Sequence, residues 1–209
     1  MQFYNEFKET RKTRNRLPHW QQDGATFFVT YRLDDSIPAG MLEKWISEKA
    51  TWLAKHPQPW DEETESEYHR KFTYELDRLM DRGYGSCVLK RPDPIRILEE
   101  SFGTFDGVRY ELHSRVVMPN HVHVLFSLKE GMKLEKVMTT WKNYTASRIN
   151  AELGQEGTLW QKDYFDRMIR DWDHFARVAR YIRRNPEKAK LPEGEYSLYE
   201  SELVRRVLG

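Results

Sequence analysis

The hydrophobic positions change period several times along the chain, and each change marks an element. Residues 26–33 (TFFVTYRL) follow Gly24 and are rich in β-branched and aromatic side chains, which predicts a strand. From 40 to 55 the apolar positions Met41, Trp45, Ile46 and Leu53 take helical spacing, and Pro57 and Pro59 stop the helix. The stretch DEETESEYHRKFTYELDRLMDRG reads as an amphipathic helix, acidic at first and mixed later, ending at Gly83. A shorter helix is expected after Pro94, through Ile95, Leu98 and Phe102 to the turn at Asp106 and Gly107.

Two strands follow, 109–117 (RYELHSRVV) and 121–127 (HVHVLFS), joined at the Met118-Pro119-Asn120 corner as an antiparallel hairpin. Leu134 to Leu153 is a helix whose stripe runs through Leu134, Val137, Met138, Trp141, Thr145 and Ile149, with Gly154 at its end. Residues 164–169 (YFDRMI) form a last strand. Asp173 is expected to cap a final helix that runs to Asn185 and is ended by Pro186. The order predicts an α+β fold: a ferredoxin-like antiparallel sheet (βαββαβ), with helices inserted after the first helix and an extra C-terminal helix. All 209 residues are expected to form one domain, with a basic arm over 1–22, an acidic helical insertion over 56–90 and a C-terminal tail over 191–209.

Composition narrows the class. Hydrophobic residues make up 39% and charged residues 32%, an ordinary globular composition that gives no argument for disorder. The apolar runs are too short to span a bilayer and the N-terminus lacks an apolar signal core, so no membrane partner and a cytoplasmic location are expected. Cys87 is the only cysteine, which rules out an internal disulfide and a thiolate cluster. A metal would have to be held by imidazole, carboxylate or amide groups. The net charge of +1 averages two regions: Asp61 to Asp81 holds eight acids against three bases, leaving about +6 for the rest. The bases gather at Lys8, Arg11, Lys12, Arg14 and Arg16, and again at Arg177, Arg180, Arg183 and Arg184. Such clusters suit phosphate contacts, and equally a solvated face.

Strand alternation sends His121 and His123 to one face while Val122, Val124 and Phe126 take the other, the core side. Two imidazoles one pleat apart can converge on one cation from an open surface. The plainer alternatives are two surface histidines or a zinc hydrolase, although no third histidine or carboxylate stands at typical ligand spacing. On the last helix, DHFARVARYIRRNP, Phe175, Val178 and Ile182 form the buried stripe and Tyr181 sits beside it. Arg177 lies one turn before it, and Arg184 and Asn185 about one turn after. A phenol among guanidinium groups suits phosphoryl transfer, since the nucleophile needs help to ionise and the phosphorane needs positive charge. The same pattern also describes a core-edge tyrosine with solvated arginines.

Taken in order, LPHWQQDGATFFVTYRL, VVMPNHVHVLF, TTWKNYTASRIN, LWQKDYFDRMIRD and ARYIRRNPEKAKL resemble the REP-associated tyrosine transposases, a branch of the single-tyrosine HUH transposases. The resemblance spans most of the chain except residues 56–90 and the last dozen. It implies that His121 and His123 are metal ligands, that Tyr181 is the nucleophile, and that the substrate is single-stranded DNA carrying hairpins. Relatives in the wider superfamily can carry a glutamine ligand one turn after the tyrosine. Asn185, one methylene shorter and directly before Pro186, holds that position here. Asp166 would be a partner of the ligand histidines or else a surface carboxylate.

The implied chemistry is attack by Tyr181, release of a 3′-hydroxyl and a 5′-phosphotyrosine link that a second 3′-hydroxyl can reverse. Mg2+ or Mn2+ would be the cofactor, two imidazoles suiting manganese well. For DNA, the basic arm (Arg11, Lys12, Arg14, Arg16) runs into His19 and Trp20, phosphate contacts beside an aromatic platform, with Lys142, Arg170, Arg177 and Arg184 as further candidates. Two rivals remain open: a domesticated module that binds hairpin DNA without cutting it, and a metal-dependent hydrolase in which water attacks. Either a monomer or a homodimer is compatible with this pattern.

Overall fold

The computed structural model describes residues 1–14, 18–57 and 60–209, and for residues 12–14, 18, 19, 62 and 65 the backbone alone. Strands β1 (Arg11–Arg14) and β2 (Pro18–Gln21) pair antiparallel as a small separate ribbon. The main sheet begins at β3 (Thr26–Arg32) and is followed by α1 (Ala39–Lys55). Next come α2 (Glu62–Tyr68), a π-helical turn (His69–Thr73) and α3 (Tyr74–Met80). A 3-10 turn (Val88–Lys90) leads into α4 (Pro92–Thr104), then β4 (Tyr110–Val117) and β5 (His121–Leu128). The chain closes with α5 (Leu134–Leu153), β6 (Phe165–Met168), α6 (Trp172–Lys188), β7 (Ser197–Glu200) and α7 (Glu202–Leu208).

The sheet order is β6-β3-β5-β4-β7, antiparallel throughout. Without β7 this is the order of the split βαβ pair, as the element sequence predicts. One face carries Phe27, Val29 and Tyr31 of β3 with Val122, Val124 and Phe126 of β5, buried against Ile97, Leu98 and Phe102 of α4 and Val137, Met138 and Trp141 of α5. Trp141 meets the rings of Phe102, Tyr110 and Phe126, each at 5.0 Å, and donates its indole N–H to the Tyr110 oxygen at 3.0 Å. The other face buries Val116 and Leu125 under Phe175, Val178, Ala179 and Ile182 of α6 and Val204 of α7.

Several expectations are corrected. The acidic stretch is not one regular helix: the π-helical turn interrupts it and carries Phe72 against Trp45 and Trp52. α4 starts at Pro92 instead of after Pro94, because a proline at the first helical position gives up no hydrogen bond. Asp171, not Asp173, caps α6, its carboxylate accepting the His174 N–H at 2.6 Å. Pro186 does not end α6, since the amide of Ala189 still finds the Asn185 carbonyl at 3.0 Å and the helix runs on to Lys188. The stretch expected as a tail supplies the edge strand β7 and α7. Among the described residues no helix is long and apolar enough to cross a membrane.

Candidate active site

β5 is the middle strand, and its register sets His123 opposite Thr30 and His121 opposite Arg32. Both histidines leave the sheet on the α6 face, but they do not look onto an open surface. They are 1% and 0% exposed, because α6 lies across them and the end of α3 closes one side. α6 is held there by its Phe175, Val178 and Ile182 stripe. Tyr181, one step off that stripe, brings its phenol to 3.3 Å from His123 Nε2. Phe28 stacks on His123 at 5.5 Å and meets Tyr181 edge-on at 5.8 Å, fixing both rings.

The remaining ring nitrogens are held by side chains. Thr30 Oγ1 lies 2.7 Å from His123 Nδ1, and Asn120 Oδ1 lies 2.8 Å from His121 Nδ1. Asn120 spends its amide N–H groups on the carbonyls of Met80 (3.1 Å) and Tyr84 (3.2 Å), so its oxygen faces His121 as acceptor. His121 therefore carries its proton on Nδ1 and a lone pair on Nε2. That Nε2 is buried without a hydrogen-bond partner, and so are the oxygen and nitrogen of the Asn185 carboxamide. Orphaned buried polar atoms are costly, and a shared cation would satisfy them. Two imidazoles and an amide oxygen are a donor set that suits a divalent ion. No group of three or more His, Cys, Asp or Glu side chains among the described residues offers a rival metal site.

Burial governs the charges. It pushes the His121 pKa down to about 3, and lowers His123 as well, with the neighbouring His121 and Lys188 adding to the effect. Both rings are thus neutral and able to ligate at pH 7. Burial also raises the Tyr181 phenol well above its ordinary value, helped by the charge of Asp77, while Asn185 acts the other way. Asp77 of α3 is itself pushed up to about 6, by burial first, against hydrogen bonding from Tyr181. Lys188 forms an ion pair at 3.7 Å with Asp81, just beyond α3.

A pH dependence of stability follows. His113 and His174 are also brought down to about 4 by burial, so these two and His121 stay neutral in the native state while their unfolded counterparts protonate below about 6.5. Stability is whole above that pH and falls as pH drops toward 4, by up to about 1.4 kcal/mol per pH unit for each histidine. Asp77 has the opposite sign, taking up a proton as pH falls through 6. Urea midpoints measured between pH 7.5 and 5 should decline, and a flat profile would contradict the buried neutral rings.

The candidate DNA-binding residues are scattered. Arg177 lines a cavity of about 310 Å3 together with Tyr181, Asp77, Phe28 and Thr30. Arg184 is exposed on α6. Trp20 and Arg170 line a smaller cavity of about 280 Å3 with Tyr4 and Met168. Lys142 donates to the carbonyls of Gln161 (2.7 Å) and Lys162 (2.6 Å), bracing the loop before β6. Arg11 is exposed on β1. Arg16 lies outside the described residues, as do the side chains of Lys12, Arg14 and His19. Asp166 pairs with Val29, on the far side of the pleat from His123, and the two histidine rings are held by Thr30 and Asn120. Thr30, Asn120 and Asp77 escape a sequence reading, although Asn120 directly precedes the first histidine.

Residues 88–185 match the model of the family described as "Transposase IS200 like". The matched segment holds α4, the histidine strand β5 and the tyrosine helix α6 as far as Asn185. The match spans a little under half of the chain and shows that this segment is similar to the IS200-like transposases. Among solved structures, a REP-associated tyrosine transposase bound to a REP hairpin is similar at 17% identity, over 90% of this chain and 74% of that one, with a TM-score of 0.39. A transposase-like protein of Deinococcus radiodurans is similar at 12% identity, over 88% and 98% of the two chains, with a TM-score of 0.33. Comparison with curated proteins gave no match.

Proposed function

We propose that the chain is a single-tyrosine HUH strand transferase of the REP-associated kind, cutting and joining single-stranded DNA beside repeat hairpins. The observation that carries this reading is the approach of the Tyr181 phenol to His123 at 3.3 Å, next to the orphaned His121 Nε2 and Asn185 carboxamide.

In this mechanism the Tyr181 oxygen attacks the scissile phosphorus in line, the P–O3′ bond breaks, and the 3′-oxygen leaves with the bonding electron pair and takes a proton from solvent. The phenol passes its own proton to Asp77, whose value near 6 suits an acceptor at neutral pH. The product is a 5′-phosphotyrosine, and a second 3′-hydroxyl attacking it reverses the chemistry and joins strands. Arg177, at the edge of the same cavity, offers positive charge to the phosphate. A divalent ion, Mg2+ or Mn2+, held by His121, His123 and Asn185, would supply Lewis-acid polarisation of the nonbridging oxygens. Phe28 and the α6 stripe exclude water, which favours transfer over hydrolysis.

The test is to incubate the protein with end-labelled hairpin DNA and Mn2+ and look for a denaturation-resistant adduct, lost on chelation. Binding without an adduct under these conditions would leave a hairpin-binding module. A second expectation needs no DNA: Mn2+ raises the unfolding temperature of the wild type by several degrees, since it satisfies groups that are orphaned without it, and raises that of His121→Ala much less.

A further inference from the structure

α1 and the inserted helices enclose a second cavity of about 500 Å3 against the β3–β6 side of the sheet. Its size falls within the ~300–1,000 Å3 of small-molecule sites. Thr30, Trp45, Lys49 and Phe165 line both this cavity and the one at Tyr181, so the two run into one another. Exposed Ile46 and Leu53 rim the outer cavity.

Lys49 is the unusual group. It is only 7% exposed, yet among the described residues it makes no hydrogen bond or ion pair. Its ammonium instead stands over the rings of Trp45 (4.8 Å), Tyr68 (5.3 Å) and Phe165 (5.4 Å). Burial alone brings its pKa down to about 8, so it remains mostly charged at neutral pH. A buried cation without a counter-charge is costly, and ring faces repay only part of that. The cavity thus presents three aromatic faces and one ammonium in need of an acceptor. Asp163 and Asp166 line the same space, which disfavours a phosphate there and favours a neutral planar group with both acceptors and N–H donors.

We propose that this cavity seats one unstacked base of the strand that passes Tyr181, with Trp45 and Tyr68 as stacking platforms and Lys49 donating to a ring carbonyl of the base. This rests on the reading of the chain as acting on single-stranded DNA. Thymine, guanine and cytosine carry such a carbonyl, and adenine has none. The subsite therefore selects a flanking base next to the cleavage point; α1 and the β3–β6 side of the sheet supply most of it, and the acidic insertion adds Tyr68, Leu76 and Met80.

The experiment uses the full chain and labelled hairpin oligonucleotides whose unpaired flank is made abasic one position at a time, read by fluorescence anisotropy. One position is expected at which loss of the base weakens binding about 5- to 100-fold. At that position the wild type prefers thymine to adenine. Lys49→Met keeps the bulk and loses the preference, while its affinity for the DNA abasic there equals that of the wild type. Trp45→Leu, checked for folding by circular dichroism, loses the base effect altogether. No binding, no position-dependent loss, or an intact preference in Lys49→Met overturns the proposal. Scoring the covalent adduct in the same samples keeps the two readings apart: base selection without an adduct sinks the strand-transfer chemistry and leaves this subsite standing, and an adduct without base selection does the reverse.

Discussion

Tyr181→Phe is expected to lower adduct formation and strand cleavage by on the order of 10^3-fold or more, because it removes the attacking oxygen, and the other hydroxyl at the pair, Thr30, is held on His123 Nδ1. The fold should survive. The phenol is half-buried, makes a long contact to His123 and hydrogen-bonds to the Asp77 carboxyl, so removing the hydroxyl costs about 1–2 kcal/mol of stability. The stabilising effect of Mn2+ should be kept, since neither His121, His123 nor Asn185 is touched. Cleavage that survives in Tyr181→Phe identifies water as the nucleophile and rejects the tyrosine mechanism. The Asp77→Asn variant gives a finer reading: if Asp77 takes the phenol proton, the acidic limb of the rate profile near pH 6 disappears along with most of the activity.

The second large effect is expected from Asn120→Ala, a residue that touches neither Tyr181 nor any phosphate. Its carboxamide accepts from His121 Nδ1 and donates to the carbonyls of Met80 and Tyr84. It thereby fixes the tautomer of one ligand ring and ties the end of the insertion to the sheet. Gly85 lies against the backbone of Asp35 at φ +84°, where a Cβ would clash, and the Ser86 amide donates to the Asp35 carboxylate, so this return path has little slack. Alanine leaves two carbonyls and one imidazole N–H without partners in a buried place. A loss of about 2–4 kcal/mol in stability is expected from urea unfolding. Loss of the ligand-orienting bond should also weaken Mn2+ binding about 10- to 100-fold at temperatures where the variant is folded. A variant that loses stability but binds Mn2+ like the wild type would assign Asn120 a purely structural part.

Much of the fold was legible because strong periodicities carry it. The stripe from Leu134 to Ile149 and the alternation through His121 and Phe126 have only one way to bury their apolar atoms, and both elements stand where expected. The failures lie where long-range contacts override local signals. Val122, Val124 and Phe126 do face the core, but the same pattern cannot reveal that α6 and α3 roof the opposite face, so the histidines looked exposed. Thr30 and Asp77 become part of the site only through strand pairing and helix placement, which join positions 93 and 104 residues from their partners. The short strands β1, β2 and β7 carry too few residues to show a period. Asn120 reads as a turn residue, and only its hydrogen bonds show that it holds a ring.

The central place of β5 divides the site by mobility. Its amides are paired on both sides, to β3 and to β4, and its flanking side chains are all buried. In native-state hydrogen exchange its protons belong with the slowest class, released only by global unfolding. α6 is attached by side chains: its apolar stripe on one face, the Arg183–Glu200 ion pair at 2.8 Å and the Lys188–Asp81 ion pair at 3.7 Å, with Arg180 and Arg184 in solvent. The half of the site on β5 is thus fixed by the backbone network of the sheet and the half on α6 by side-chain contacts, so the amides of α6 are expected to exchange sooner than those of β5.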